Sequence, residues 1–237
     1  MISLASCTTQ LNDLPHIKIP ESKTAGAYWK PLKHSDLITS LILNAKKSGF
    51  TLTDNRVLIW YGNLRMDASL KFTILDKTSK IPLWLGVSAS NDRSRVLKFY
   101  SGIEMEDSYL ITNCFTGGKY TTAFDVDLEA QRAIDILSGD LANAVEDHDT
   151  MISTRIPSPD YDSTMMEVGR RGILPWSKIG KADHGTNRVK IKSFWDFHRS
   201  VTKVIGLTSG PKQLDNLYAL RELVVSKITH ICSKSKI

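Results

Sequence analysis

Residues 84–118 constrain the fold most, because they contain two strand-like apolar segments with a polar loop between them. The first segment, 81–87, runs into the polar sequence 90–94, and the second, 108–115, ends before a glycine pair. Short segments of β-branched and aromatic residues bounded by turn residues are typical of strands. This stretch therefore predicts two neighbouring strands of one sheet.

Similar segments flank this pair, and short turns separate them. The predicted strands are 56–64, 68–75, 83–89, 95–103, 109–115 and 120–124. Helical periodicity with end signals predicts helices at 35–49, 128–144, 193–206 and 214–232. Short turns favour an antiparallel meander. The expected fold is therefore α+β, with a curved antiparallel sheet, helices packed on one face and a helical C-terminal part.

The chain has 237 residues, which suits one large domain or two small ones. The predicted parts are an irregular N-terminal segment (1–34), an α+β sheet core (35–150), a loop or linker region (151–192) and a C-terminal helical part (193–237). In the third part, residues 151–162 are expected to be a loop or linker because Pro157 and Pro159 interrupt them, and residues 165–172 to be a short helix or turn.

Charge is distributed unevenly along the sequence. The net charge is +6, but residues 155–237 carry 15 Lys and Arg against 7 Asp and Glu, whereas residues 1–154 carry 16 against 18. A basic C-terminal third favours an anionic partner, either nucleic acid or an acidic protein. A solvated lysine-rich surface is the structural alternative.

The cysteines and the N-terminus bear on location. Cys7, Cys114 and Cys232 are far apart, odd in number and fit no metal spacing, which favours a reducing cytosol. No apolar stretch approaches the ~18 residues of a membrane span, and the N-terminus lacks the pattern of a signal peptide. We expect a cytoplasmic protein of a bacterial host, with no membrane partner.

Catalytic motifs give little support for an enzyme. The sequence has no GxGxxG, GxxxxGK[ST] or GxSxG motif and no HxH or HxxxH pair. The glycine pair before Lys119 is better explained as a hairpin turn than as a phosphate loop. A metal-dependent nuclease using Asp125, Asp127 or the cluster 146–149 is the weakest alternative, since helix capping and solvation explain these acids. We therefore expect no catalytic residue, metal or cofactor.

Aromatic and basic residues are more informative. Single-stranded nucleic acid binds where bases stack on aromatic rings and a basic groove follows the backbone. The candidate nucleic-acid-binding residues are Trp60, Tyr61, Arg93, Arg95, Lys98, Lys178, Lys181, Arg188, Lys190 and Lys192. The alternative for the aromatic residues is a place in the core.

Several segments also resemble a known family. The sequence Ser90-Asn91-Asp92-Arg93-Ser94 resembles the S-H-D-K-S element of phage- and plasmid-borne proteins grouped as domain-of-unknown-function family 932. Residues 112–117 resemble the family's C-D-N-x-x-F-S-G element, and 193–204 and 213–223 resemble its C-terminal helices. The resemblance covers roughly residues 35–225.

The chain departs from the family at ionisable positions. Asn91 stands where the family has histidine, Thr112 where it has aspartate, and Lys203 where it has an acidic residue. Chemistry that needs those groups is therefore not carried over. The resemblance implies a mobile-element setting more than an activity.

Together these patterns predict a phage- or plasmid-type, non-catalytic DNA-binding protein that holds or anneals single strands in recombination. The meander followed by a long helix is similar to the core of single-strand annealing recombinases, which is an analogy of fold. The alternative is a phage effector that binds and inhibits a host defence protein. Either protein can be a homo-oligomer. In both cases we expect Phe115 to be buried and Trp195 to anchor the C-terminal helices.

Overall fold

A computed structural model describes most of the chain and confirms the α+β class. The described residues are 8–19, 31–60, 62–74, 82–92, 95–105, 108–121, 123–184, 191–207 and 212–234. The strands are β1 Thr8–Thr9, β2 Phe50–Trp60, β3 Arg65–Ile74, β4 Leu83–Ser90, β5 Lys98–Met105 and β6 Ser108–Thr116. The α-helices are α1 His34–Lys47, α2 Val126–Ser153, α3 Ser158–Arg170, α4 Trp176–His184, α5 Phe194–Leu207 and α6 Gln213–Lys234. A 3₁₀-helix, Leu11–His16, precedes α1.

The strands form one sheet whose order follows the sequence from β1 to β6, as expected for a meander. Strands β2 and β3 pair antiparallel, with Trp60 opposite Arg65, and β3 pairs antiparallel with β4, with Arg65 opposite Ser90. The turn between β2 and β3 needs left-handed backbone at Gly62 and Asn63. All eight residues of β4 are buried, so both faces of the sheet are covered at this strand.

The chain divides into two compact units. The helical unit comprises Met1–Leu4, Ile103–Thr112 and Ala142–Ile237, and the sheet unit comprises Ala5–Gly102 and Asn113–Leu141. Counted by unit, the helical unit has 15 basic and 13 acidic residues, a charge of +2, and the sheet unit has 16 and 12, a charge of +4. Acidic residues that precede the basic third in the sequence therefore offset most of its charge within the same unit.

The expected linker region is largely helical, because it contains α3 and α4. Pro157 is the N-cap of α3 and Pro159 lies in its first turn. The first N–H groups of a helix have no intrahelical acceptor, so proline fits there without loss of a hydrogen bond. These prolines start a helix, whereas the sequence analysis took them to break one.

Trp195 anchors α5 as predicted. Its side chain is 2% exposed and lies between two imidazoles. The ring of His148 on α2 is perpendicular to it at 4.6 Å, and the ring of His198 is nearly parallel to it at 5.4 Å. Ser193 caps this helix, because its hydroxyl accepts a hydrogen bond from the Asp196 N–H.

Two expectations at the end of the sheet need correction. Phe115 is partly buried rather than buried, and it stacks on Phe99 with ring centroids 5.1 Å apart. The segment 120–124 forms no strand in its described residues. Tyr120 is instead buried, with its ring edge-to-face to Phe124 at 5.2 Å. Aromatic packing therefore replaces the expected last strand.

Candidate nucleic-acid interface

Some of the predicted binding residues lie outside the described residues, and the others are divided between the two units. Tyr61, Arg93, Arg188 and Lys190 lie outside the described residues, and the side chain of Lys181 is also outside them. Trp60, Arg95 and Lys98 belong to the sheet unit, and Lys178 and Lys192 belong to the helical unit. Each unit therefore contains candidate residues.

In the sheet unit, Trp60, Arg65, Asp67, Asp92 and Arg95 form an arginine–tryptophan cluster. The guanidinium carbon of Arg95 lies 4.8 Å from the centre of the Trp60 ring, and that of Arg65 lies at 5.1 Å. The pairing of Trp60 with Arg65 across β2 and β3 brings these side chains together. The structure thus joins two of the predicted residues, Trp60 and Arg95.

Two aspartates hold the arginines of this cluster. Asp92 accepts two hydrogen bonds from Arg65, at 2.9 Å from Nε and 2.8 Å from Nη2. Asp67 accepts a hydrogen bond from the Trp60 indole N–H at 3.0 Å and lies 3.6 Å from Arg95. Burial raises the pKa of Asp67, although the Ser88 hydroxyl and the nearby cations oppose the rise. Sequence analysis did not identify these acids, because only the strand register and the loop after β4 bring them to the arginines.

Hydrogen bonds of Asn91 hold the start of the loop after β4, in which Asp92 lies. The Asn91 side chain is fully buried and makes two hydrogen bonds to the backbone of Leu32, accepting from N–H at 2.7 Å and donating to C=O at 2.8 Å. Its own N–H donates to the Leu64 carbonyl at 2.6 Å. An amide presents a donor and an acceptor side by side, which an imidazole does not. Asparagine at this position is therefore a structural residue.

His34 supports the turn on the other side of the cluster. Its Nε2 lies 3.1 Å from the carbonyl of Asn63, in the turn between β2 and β3. Burial lowers the pKa of His34, and this backbone hydrogen bond partly opposes the shift. The turn that separates Trp60 from Arg65 is therefore held by a buried histidine.

In the helical unit, four exposed or partly exposed side chains at the end of α3 and the start of α4 are taken together as a tryptophan surface: Met166, Arg170, Trp176 and Lys178. Trp176 is 56% exposed and Met166 is 49% exposed. A Cβ atom at Gly169 would lie 2.7 Å from the Trp176 ring, so only glycine lets the indole lie this close to α3. Met166 is one turn before Gly169 and thus on the same side of α3.

Two cations of this surface have no partner. Arg170 is exposed and Lys178 is partly exposed, and neither side chain has an ion pair or hydrogen bond within the described part of the chain. The neighbouring Arg171 differs, because its Nε donates to Glu167 at 3.1 Å. Ile173 and Leu174, shortly before Trp176 in the chain, are buried, but the indole is not.

The remaining described candidates do not join either group. Lys98 begins β5, is partly buried and has a polar partner. Lys192 precedes α5, with an exposed side chain and a backbone N–H that donates to Asp196 at 2.9 Å. These two lysines therefore belong neither to the arginine–tryptophan cluster nor to the tryptophan surface.

The acids considered for a metal site have other roles. Asp125 caps α2 by accepting hydrogen bonds from the N–H groups of Asp127 at 2.9 Å and Leu128 at 3.1 Å. Asp127 accepts from the Ser40 hydroxyl at 2.5 Å. In the cluster 146–149, Asp147 binds Arg221 on α6. Among the described residues there is no group of three or more His, Cys, Asp or Glu placed to hold a metal ion.

The chain matches no family model, no curated protein and no solved structure. Across the described residues, every helix is too short or too polar to cross a membrane. The chemistry of the two surfaces is therefore the basis for a functional proposal.

Proposed function

We propose that this protein is a phage- or plasmid-type, non-catalytic DNA-binding protein that holds single strands, and that the tryptophan surface contacts the DNA. The observation that carries the proposal is an indole that is 56% exposed at the start of α4, close in the chain to Arg170 and Lys178, whose side chains have no ion pair or hydrogen bond within the described residues. Proteins that bind single strands combine exposed aromatic rings with nearby positive charge.

The two kinds of side chain act on different parts of a strand. An unpaired base stacks on the exposed face of Trp176, a contact worth about 1–3 kcal/mol. Arg170 and Lys178 bind phosphates on either side of that base, and they carry no base information. Bases in a duplex are already stacked on their neighbours, so we expect a preference for single strands over duplex DNA.

The proposed role in annealing and recombination rests on the analogy between the meander with its long helix and the core of single-strand annealing recombinases. Contacts by stacking and to phosphate leave the hydrogen-bonding edges of the bases free. A strand held in this way can pair with a complementary strand. A homo-oligomer would present several such surfaces to one strand and raise its affinity through multivalency.

Fluorescence anisotropy with a labelled oligothymidylate at low salt tests the proposal. We expect Trp176→Ala to weaken binding by about tenfold or more, which corresponds to a loss of at least 1.4 kcal/mol (about the stacking contribution). Leu128→Ala is the matched control, because Leu128 is 67% exposed but lies in the sheet unit. Absence of binding by the unmodified protein, or equal losses in both variants, would refute the proposal.

Salt dependence tests the two cations. We expect Arg170→Gln with Lys178→Gln to lower affinity for all sequences about equally and to reduce the slope of log K against log salt by about 2. Arg171→Gln is the control, since Arg171 is already paired with Glu167. A slope that changes as much in the control would assign the effect to general charge.

The same surface supports one second candidate, a phage effector that binds and inhibits a host defence protein. Tryptophan, methionine and arginine are enriched at protein interfaces, and this surface exposes Trp176, Met166 and Arg170 together. An unmodified protein that binds no oligonucleotide at low salt would favour this candidate.

A further inference from the structure

The arginine–tryptophan cluster contains a buried carboxylate that the proposed DNA contact does not use. Asp67 is 7% exposed, and three groups from different elements surround it. They are the Trp60 indole N–H on β2, the Ser88 hydroxyl on β4 and the Arg95 guanidinium before β5. A charged carboxylate at such a place is costly unless its partners stay in contact.

The two arginines of the cluster are held unequally. Arg65 donates two hydrogen bonds of 2.8 and 2.9 Å to Asp92, within the normal range for N–H···O. The nearest distance from Arg95 to Asp67 is 3.6 Å, which is an ion pair without a direct hydrogen bond. Arg95 is therefore the arginine that can exchange its partner, and its stacking on Trp60 at 4.8 Å keeps it in place.

We infer that Arg95 and Trp60 form a second anion site, in which a phosphate-type oxyanion replaces Asp67 at Arg95 and Asp67 takes up a proton from solvent. The guanidinium donates paired N–H groups to the oxyanion, a geometry that suits phosphate and sulfate. Asp67 then loses its cation and gains an anionic neighbour. Both changes favour the protonated carboxyl, which keeps Trp60 and Ser88 as hydrogen-bond donors.

The other charged groups near Asp67 leave this exchange possible. Arg65 acts on Asp67 through space, but its hydrogen bonds go to Asp92. Asp92 also accepts a hydrogen bond from the Ser90 hydroxyl, so its charge is compensated twice. Burial already raises the pKa of Asp67 above its ordinary value. Protonation of Asp67 therefore costs less free energy than protonation of an exposed aspartate at the same pH.

The inference goes beyond the proposed function and does not rest on it. The oxyanion can be free phosphate or a phosphate of a DNA strand, since both present the same oxygens to Arg95. Sulfate is the appropriate probe, because it does not titrate between pH 5 and pH 8 whereas phosphate does. Proton uptake measured with sulfate therefore belongs to the protein.

Isothermal titration calorimetry of the full chain with sodium sulfate, in buffers of different ionisation enthalpy, measures the uptake. We expect proton uptake on binding and an affinity that falls as pH rises, by up to tenfold per pH unit above the pKa of Asp67. Arg95→Gln should abolish binding. Asp67→Asn should retain binding but remove both the proton uptake and the pH dependence.

Several outcomes would overturn the inference. These are sulfate binding without proton uptake in the unmodified protein, unchanged binding in Arg95→Gln, or no sulfate binding at all. The unmodified protein alone gives the first and last results, so a variant that fails to fold does not prevent a decision. Trp176→Ala should leave sulfate binding unchanged, which separates this site from the tryptophan surface. Competition between sulfate and oligothymidylate would identify strand phosphate as the source, and absence of competition would identify a free oxyanion.

Discussion

Trp60 and Trp176 both lie within five residues of an arginine or lysine in the sequence but have opposite surroundings in the structure. The Trp60 indole donates a hydrogen bond to Asp67 and lies against two guanidinium groups, each paired with an aspartate. The Trp176 indole is 56% exposed, and Arg170 and Lys178, which are near it in the sequence, are unpaired among the described residues. The difference teaches that aromatic and basic residues make a binding surface only where the charge is not already satisfied within the protein.

The two kinds of element explain the difference. In the sheet unit, Trp60 faces Arg65 and Arg65 faces Ser90 across neighbouring strands, so side chains from three strands lie within reach of each other. In the helical unit, Arg170 ends α3 and Trp176 begins α4, with a turn between them. Within the described residues, no acidic side chain pairs with Arg170 or Lys178 at these helix ends. Strand pairing thus favours internal ion pairs, and helix ends favour free cations.

The largest expected effect is on stability, and it should differ between the two tryptophans. We expect Trp60→Ala to lower the free energy of unfolding by about 3 kcal/mol, because it removes packing and a donor to the buried Asp67. Trp176→Ala should change it by less than about 1 kcal/mol, since the indole is mostly exposed. Urea denaturation followed by circular dichroism measures both. Equal losses would mean that Trp176 is a structural residue and would break the comparison.

An intermediate effect is expected from pH in the helical unit. Burial and the nearby His148 lower the pKa of His198 to about 3, against about 6.5 in the unfolded chain. A histidine with a lowered pKa contributes its full stability above pH 6.5 and loses it as pH falls toward 3. At pH 5 we expect a loss of about 2 kcal/mol relative to pH 7.5.

Thermal unfolding at these two pH values tests this expectation, with His198→Leu as the control. The variant should lose less stability at pH 5, although His34 in the sheet unit contributes a loss of the same sign. Asp67 contributes with the opposite sign, because its pKa is raised and its stabilisation is lost as pH rises. An unchanged pH dependence in His198→Leu would contradict the role of the buried imidazole.

Much of the fold could be predicted from the sequence because its signals are local. Alternating apolar residues predicted the meander, and helix capping was the expected role of Asp125, which the structure confirms. The helix predicted from residue 35 begins one residue earlier, at His34. Prolines were misjudged at α3, because the same residue breaks a helix interior and suits a first turn.

The candidate sites could be predicted only in part, because they depend on contacts distant in sequence. Trp60 and Arg95 were both identified from the sequence. Their common partner Asp67 was not, because strand register brings it to Trp60 and the loop after β4 brings Arg95 to it. The charge of the basic C-terminal third is a weaker indication of an anionic partner than the sequence suggests, because acidic residues from earlier in the chain lie in the same unit. One of them, Asp147, pairs with Arg221. The close approach of Trp176 to α3 depends on Gly169, and no local sequence pattern indicates this role.

The smallest expected effect concerns two helical glycines that differ in what lies above them. In α2, a Cβ at Gly139 would meet nothing within 4 Å, so Gly139→Ala should stabilise the protein by about 0.5–1 kcal/mol. In α3, a Cβ at Gly169 would lie 2.6 Å from the Ile179 side chain and 2.7 Å from the Trp176 ring. Gly169→Ala therefore displaces the indole, and the strain offsets the helix gain and leaves a net loss of up to about 1 kcal/mol.

Melting temperature and oligothymidylate affinity, measured on both glycine variants, decide this point. If the tryptophan surface binds DNA, Gly169→Ala should weaken binding several-fold because the ring and the two cations are no longer aligned, and Gly139→Ala should leave binding unchanged. Equal stabilisation with unchanged affinity in both variants would show that Gly169 does not set the position of Trp176. The position of Trp176 in the tryptophan surface would then be set by α4 alone. The contrast with the arginine–tryptophan cluster, whose side chains are placed by strand register, would then not depend on the packing of α3 against α4.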